Sequence, residues 1–339
     1  MTHQEVTRQT SVDHELPHEP AATSNWSENY VFSGFDPAGG VGFYHHMARM
    51  PYDPEIWRGA FGMMLPDGLA LVGKDHGRTG APGSGDTVGP ASPSLAFVCR
   101  EPFRRWEVRY DGVARLVPAA QLTRGLLRDG PTVPVRLDLT FEPSAPPWGF
   151  GEGMEDETWA DVHYEHPGRF GGRLRYGAET LSLDGTGYRD HSVGPRDVGP
   201  MLSHSWVHGE FRSGRAFQVF AAHTRPDQRF ASAYVATGSD LRAAQVRAVP
   251  GWTGHDGDPR SFVVSLDTDD GPAEIVGRTL GQRYHWSALS PWEFAFGADL
   301  DAPASDPTGA WPVLETMAEF EWDGERGYGL VEVTRPRSD

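Results

Sequence analysis

Residues 185–197 read GTGYRDHSVGPRD, placing a tyrosine, two aspartates, two arginines and a histidine between glycines and a proline. Such a set can transfer protons. An aspartate in an apolar pocket holds its proton towards neutrality, because desolvation disfavours the charged form, and can then serve as a general acid. A neighbouring arginine acts in the opposite sense and keeps the carboxylate ionised. Asp190 is therefore a candidate proton donor if it meets an apolar cavity. The competing reading is a turn pinned by an ion pair to Arg189 or Arg196.

Gly185, Gly187 and Gly194-Pro195 bound a strand running from Tyr188 to Val193. Alternation puts Tyr188, Asp190 and Ser192 on one face, and Arg189, His191 and Val193 on the other. In a regular strand Asp190 and His191 thus never line the same cavity; a bulge is needed to bring them together. His191 is expected to orient Asp190, or to act as base if such a bulge exists. Tyr188 would line the pocket, and Arg196 would fix the loop or hold a polar substrate group.

Two further stretches supply pocket walls. In HYEHPGRFGG, His163 and Glu165 share one parity, and Tyr164 and His166 the other. In LSHSWVHGEF, His204, Trp206 and His208 share a face. Histidines four apart on a strand lie ~13 Å from each other, too far to share a metal. GFYHHM sets His45 and His46 on opposite faces beside Tyr44. With no HExxH and no same-face triad, neither a metal nor a cofactor is expected. Glu165, His204, Trp206 and Tyr44 are assigned to substrate binding. A GxSxG elbow, a Walker loop and a GxGxxG opening a helix are all missing. Glu152, Glu155, Asp156 and Glu157 offer a metal or glycosidase cluster, but read better as a solvated linker.

The elements that must position these residues are strands. VPVRLDLTF puts Val133, Val135, Leu137, Leu139 and Phe141 on one side, and Arg136 and Asp138 on the other. WEVRYDGVARLV groups Trp106, Val108 and Tyr110. Asp323-Gly324 suits a tight hairpin between two alternating runs. Helical periodicity is scarce; PAAQLTRGLLRDG offers one short helix. Many short strands joined by Gly, Pro and Asp turns predict an all-β barrel or sandwich.

Composition limits the partners. The formal charge of −17 and the lack of a basic stripe argue against nucleic acid and anionic membranes. Cys99 is the single cysteine, set among apolar residues, and is expected to be an inert core thiol. No run approaches the ~20 apolar residues of a spanning helix. Residues 1–24 lack a signal-peptide core and read as a disordered tail, so a cytoplasmic protein is expected. The run 142–161 reads as a junction between a first domain, 25–155, and a second, 156–336. Residues 77–94 read as a flexible loop of the first.

The segments HYEHPGRFGG, LDGTGYRDHSVGPRD, WVHGEF and DGERGYGLVE together resemble the hydroxyneurosporene synthase (carotenoid 1,2-hydratase) and AttH-like superfamily. The likeness is to a bacterial branch whose central motif runs Arg-Asp-His-Ser-Trp-Gly-Pro-Arg. Arg189, Asp190, His191, Ser192, Gly194, Pro195 and Arg196 match it, and Val193 stands in the tryptophan's place. His166 stands where glutamine follows His163, Tyr164 and Glu165. The opening ENYVFSGFDPAGGVGFYHHMARMPYD is similar too, so the resemblance runs from about residue 25 to 335. It implies two lipocalin-like antiparallel β-barrel domains packed side by side, with an apolar ligand cavity within a barrel. It also implies hydration, dehydration, isomerisation or cyclisation of an apolar small molecule, such as a terpenoid, steroid or polyketide, without a cofactor.

That chemistry suits the residues. Adding water across an alkene needs an acid, aromatic walls to shelter a cation, and a base to orient water. Two other functions fit the same fold. One is a non-catalytic carrier of a hydrophobic ligand, which barrels commonly are. The other is a carbohydrate-active protein, which would need a carboxyl pair ~5–10 Å apart in an open cleft.

Overall fold

Runs that alternate apolar with polar residues bury one side only as strands, and strand makes up 69% of the structure against 4% helix. The computed structural model describes residues 12–78, 89–127, 129–150, 154, 157–225, 228–290, 293–303 and 310–337. Ten strands form the first sheet: β1 (Trp26–Asp36), β2 (Val41–Met50), β3 (Asp53–Met64), β4 (Leu69–Arg78), β5 (Leu95–Glu101), β6 (Arg105–Pro118), β7 (Thr132–Pro143), β8 (Trp148–Gly149), β9 (Val162–Tyr176) and β10 (Glu179–Pro195). Ten form the second: β11 (Ser203–Phe211), β12 (Arg215–Arg225), β13 (Gln228–Thr237), β14 (Asp240–Ala243), β15 (Gln245–Ala248), β16 (Ser261–Thr268), β17 (Gly271–Ser290), β18 (Glu293–Phe296), β19 (Trp311–Trp322) and β20 (Glu325–Thr334).

The first sheet runs β10-β1-β2-β3-β4-β6-β7-β9, and β9 pairs back onto β10, which closes a barrel. The second runs β14-β13-β12-β11-β20-β19-β17-β16-β15 and is nearly closed. These are the two lipocalin-like barrels that the resemblance implied. Closure leaves few free strand edges. The expected short helix is a 3-10 turn, Ala119–Thr123. Among the described residues no helix is long and apolar enough to cross a membrane.

Three placements differ from the sequence reading. The sheet changes between Pro195 and Ser203 rather than at 155, because β9 and β10 are the strands that close the first barrel. Among the described residues of the run 142–161, Trp148, Phe150, Met154 and Trp159 are buried rather than solvated. The chain from residue 12 is not a loose tail either. Val12–Glu15 form a 3-10 turn, and Glu15 is wholly buried inside the first barrel. Of the expected loop 77–94, residues 79–88 lie outside the described residues.

The apolar side chains form three clusters. One fills the first barrel around Tyr30, Phe32, Trp57, Phe61 and Trp106, and includes Cys99, whose thiol burial pushes up to about 11. A second fills the other barrel around Val207, Phe217, Leu314, Phe320 and Val331. The third joins residues of both barrels, among them Tyr44, Trp148, Tyr188, Trp206, Tyr234, Tyr284, Phe294 and Met317. The barrels touch closely at two glycines. A Cβ on Gly42 would lie 2.5 Å from Met317 Cγ, and one on Gly62 would lie 2.7 Å from the Tyr284 hydroxyl oxygen.

The hairpin expected at Asp323-Gly324 is present, with positive φ at both residues, 51° and 77°. This is the backbone that a two-residue turn between strands requires. It fixes Trp322 against Glu325 and, further along, Glu315 against Glu332.

Candidate active site

A chamber opens between the barrels, with an empty volume of about 940 Å³, its mouth included. The first barrel contributes Asn29, Val31, Tyr44, His46, Arg58, His163, Glu165, Asp190 and Ser192, followed by Arg196. The second contributes His204, Trp206, Phe220, Trp286, Phe294, Trp311 and Glu332, while Trp159 comes from the segment before β9. The cavity expected within a barrel therefore lies outside both, because each interior is already filled by its own cluster.

Strand alternation decides who faces it. The β9–β10 ladder is regular from Val162 to Tyr176, so Asp190 pairs directly with Glu165 and both side chains line the chamber. Asp190 is half-buried, and no described residue hydrogen-bonds to its side chain or forms an ion pair with it. Burial raises its carboxyl to about 7, and Arg196 and Arg189 only partly oppose this. The ion-paired turn of the competing reading is thus not formed. Glu165 is wholly buried, accepts a 2.7 Å hydrogen bond from the Tyr188 hydroxyl and lies 3.1 Å from His163 Nε2. Burial, then the neighbouring Asp190, push it well above the ordinary carboxylate range. Burial likewise pushes His163 well down, so its imidazole is neutral.

Tyr188 was expected to line the pocket and instead stands behind it. Its hydroxyl lies 2.8 Å from that of Tyr234 and its ring stacks on His208 at 4.1 Å. Tyr188 therefore positions Glu165. Arg196, Trp206, His204 and Tyr44 all reach the wall.

His191 does not reach the wall. With no bulge in this part of β10, it turns into the first barrel and stacks on Tyr30 at 3.8 Å. Its Nε2 lies 3.0 Å from Glu28 Oε1 and its Nδ1 lies 2.7 Å from the His14 carbonyl oxygen. It neither orients Asp190 nor acts as base. Arg189, on the same face, pairs with Glu15 at 2.6 Å and donates to the Tyr164 hydroxyl at 2.8 Å. The expected working edge is thus two-sided: one face lines the chamber and the other anchors the amino-terminal turn. His18, Glu28 and His191 are near enough to hold a metal. Glu28, however, already receives the His18 N–H at 3.1 Å and the Tyr30 hydroxyl at 3.3 Å, and forms an ion pair with Arg49 at 3.2 Å. Its oxygens are saturated by donors, which makes the group an internal polar pin.

Glu152, Glu155 and Asp156 lie outside the described residues, and Glu157 accepts a 3.0 Å bond from Trp159 Nε1. Sequence reasoning missed Glu332 in the wall of the second barrel and Glu315 behind it. Glu332 bonds to His204 Nε2, and Glu315, opposite it, accepts from Trp286 Nε1 at 3.2 Å. A signal was available: a two-residue loop at 323–324 sets these glutamates against each other by counting. Arg58 and His46 were missed too. Arg58 Nη2 lies 3.1 Å from His46 Nδ1, and its guanidinium sits 4.5 Å from the Phe294 ring centre.

The fold recurs in solved structures. An AttH-like protein from Nitrosomonas europaea is 15% identical with a TM-score of 0.57, covering 94% of this chain and 95% of that one. CghA is 13% identical with a TM-score of 0.57, covering 96% and 94%. Kievitone hydratase from Nectria haematococca is 9% identical with a TM-score of 0.52, covering 92% and 89%. Identities this low show a shared two-barrel fold. No curated protein matches the chain. Residues 11–337 match the family model described as "Domain of unknown function (DUF7064)", and the chain belongs to that family.

Proposed function

We propose that the protein is a hydratase-type enzyme that adds water to, or removes it from, an apolar small molecule by proton transfer in the inter-barrel chamber. One observation carries this reading: the Asp190 carboxyl, unpaired among the described residues and titrating at about 7, faces an aromatic chamber. A group that titrates near the working pH is the most effective proton donor. In the forward direction the Asp190 proton forms a C–H bond at one alkene carbon, and the other carbon becomes cationic. Trp159, Trp206, Trp286 and Trp311 surround that space. Each aromatic face that meets the cation contributes roughly 0.5–2 kcal/mol. Water then bonds to the cationic carbon and gives its proton to a base.

The solved kievitone hydratase shares the two-barrel fold, and the Arg189–Ser192 segment resembles the central motif of a bacterial branch of the carotenoid hydratase and AttH-like superfamily. Both support hydration over the other reactions of an acid, isomerisation and cyclisation. A carrier has no use for a desolvated acid in its wall, since burying an unpaired carboxyl lowers stability. The substrate class we favour is an isoprenoid or similar unsaturated skeleton with few polar groups.

The test begins with native mass spectrometry of protein purified from its own host, to find the lipophile that travels with it. That compound, incubated with the enzyme in D2O, should gain deuterium at carbon. Asp190→Asn should bind it with similar affinity and incorporate none. Incorporation by the variant at the wild-type rate would remove Asp190 from the reaction, and none by either protein would favour the carrier.

A further inference from the structure

We infer that Glu332 is a second proton-handling group of the chamber, facing Asp190 from the other barrel, with Glu315 and His204 as its positioning residues. The role in catalysis rests on the proposed hydratase reading; the carboxyl pair itself does not. The Asp323-Gly324 turn sets Glu315 and Glu332 directly opposite each other on β19 and β20. Both leave the barrel interior, into which their neighbours Leu314, Val331 and Val333 point. Glu332 reaches the chamber and Glu315 lies wholly buried behind it.

Two carboxylates this close, out of water, do not both ionise unless a cation stands between them. No described residue pairs a cation with Glu315, whereas His204 and Arg196 favour the charge on Glu332. Glu315 Oε1 takes the Trp286 N–H, its Oε2 has no hydrogen-bond partner, and Glu332 takes only His204. The pair therefore keeps one proton. Burial and the charge of Glu332 push Glu315 well above the carboxylate range, which places that proton on Glu315. Glu332 is held below the ordinary carboxylate range because the neighbouring Glu315 carboxyl and His204 outweigh its own burial. A carboxylate held ionised at the edge of an aromatic chamber can accept a proton.

The step balances. Asp190 loses its proton as the C–H bond forms; a water oxygen bonds to the second carbon, and the water's proton passes to Glu332. Return of that proton to Asp190 through chamber water resets the enzyme.

The experiment is a pH titration of protein labelled with δ-13C glutamate and γ-13C aspartate, assigned with Glu315→Gln, Glu332→Gln and Asp190→Asn. Glu315 should remain protonated above neutrality in the wild type and return towards the ordinary range in Glu332→Gln. His204→Gln should raise the Glu332 midpoint. Independent titration of both glutamates in the ordinary range would overturn the inference, and the wild-type spectrum gives this answer even if a variant fails to fold. Binding of 2-naphthol, with naphthalene as the probe lacking a hydroxyl, gives the second readout. Glu332→Gln should weaken 2-naphthol by about tenfold and leave naphthalene unchanged. Equal effects on both probes would also overturn it. An ordinary aspartate titration of Asp190 beside an intact glutamate pair would instead sink the proton-donor reading alone.

Discussion

Asp190 and Glu165 stand directly opposite each other on β10 and β9, with both carboxyls turned to the chamber. Burial and its neighbour keep Glu165 protonated, so Asp190 is the member of the pair that titrates, at about 7. The general acid is active with its proton on. Turnover should therefore fall as pH rises through about 7 and level off below it. Glu165→Gln mimics the neutral acid and should leave that midpoint in place. A pH–rate profile of deuterium incorporation into the host lipophile checks both statements.

The same acid should weaken the fold. Its folded value of about 7 lies above the ordinary 3.8, so the stability tied to its protonated form is present below about pH 4 and lost as pH rises through 7. Asp190→Asn escapes that loss. At pH 8 the variant should be more stable than wild type by about 2 kcal/mol, discounted because the carboxyl meets chamber water. At pH 4 the two should melt alike. Urea denaturation at the two pH values decides the matter.

Glu15 behaves in the opposite sense. Burial works against its charge, but Arg189 and the Phe103 N–H hold it down to about 2, below the ordinary 4.5. Its contribution is full above pH 4.5 and lost as pH falls towards 2. Glu15→Gln strands the Arg189 charge inside the barrel and should cost about 3–5 kcal/mol at pH 7. Adding Arg189→Met should recover much of it. Removing residues 1–24 should be as harmful as Glu15→Gln, measured by the same denaturation.

Trp206→Leu keeps an apolar wall but removes a π face. The rate should drop about 5–30-fold, in line with about 1–2 kcal/mol of cation stabilisation. Binding of naphthalene should change far less. A large loss of binding with an unchanged rate constant would make Trp206 a shape element only.

Much of this was legible in the sequence because strand alternation is a local rule. The opposed faces of Asp190 and His191, and the shared parity of His163 with Glu165, followed from it directly. What alternation does not say is which face meets the barrel interior and which meets the other barrel. The chamber was therefore placed inside a barrel, and Tyr188 at its wall. Glu15 was hidden for a different reason: its partner Arg189 is far along the chain, and a polar, proline-bearing stretch has the composition of a tail. Glu332 was recoverable by counting from the 323–324 turn, but an isolated glutamate in an apolar strand draws little notice without that count.

Gly42 and Gly62 bring the two barrels to within backbone reach of Met317 and Tyr284. They act as the thinnest possible shims. A methyl group added at Gly62 would prise the walls apart while leaving every chamber-facing side chain unaltered. The gap between the opposed acids would then widen, and a bulkier guest could be admitted. Selectivity in this architecture is thus tunable from the seam where the barrels meet, as well as from the lining itself.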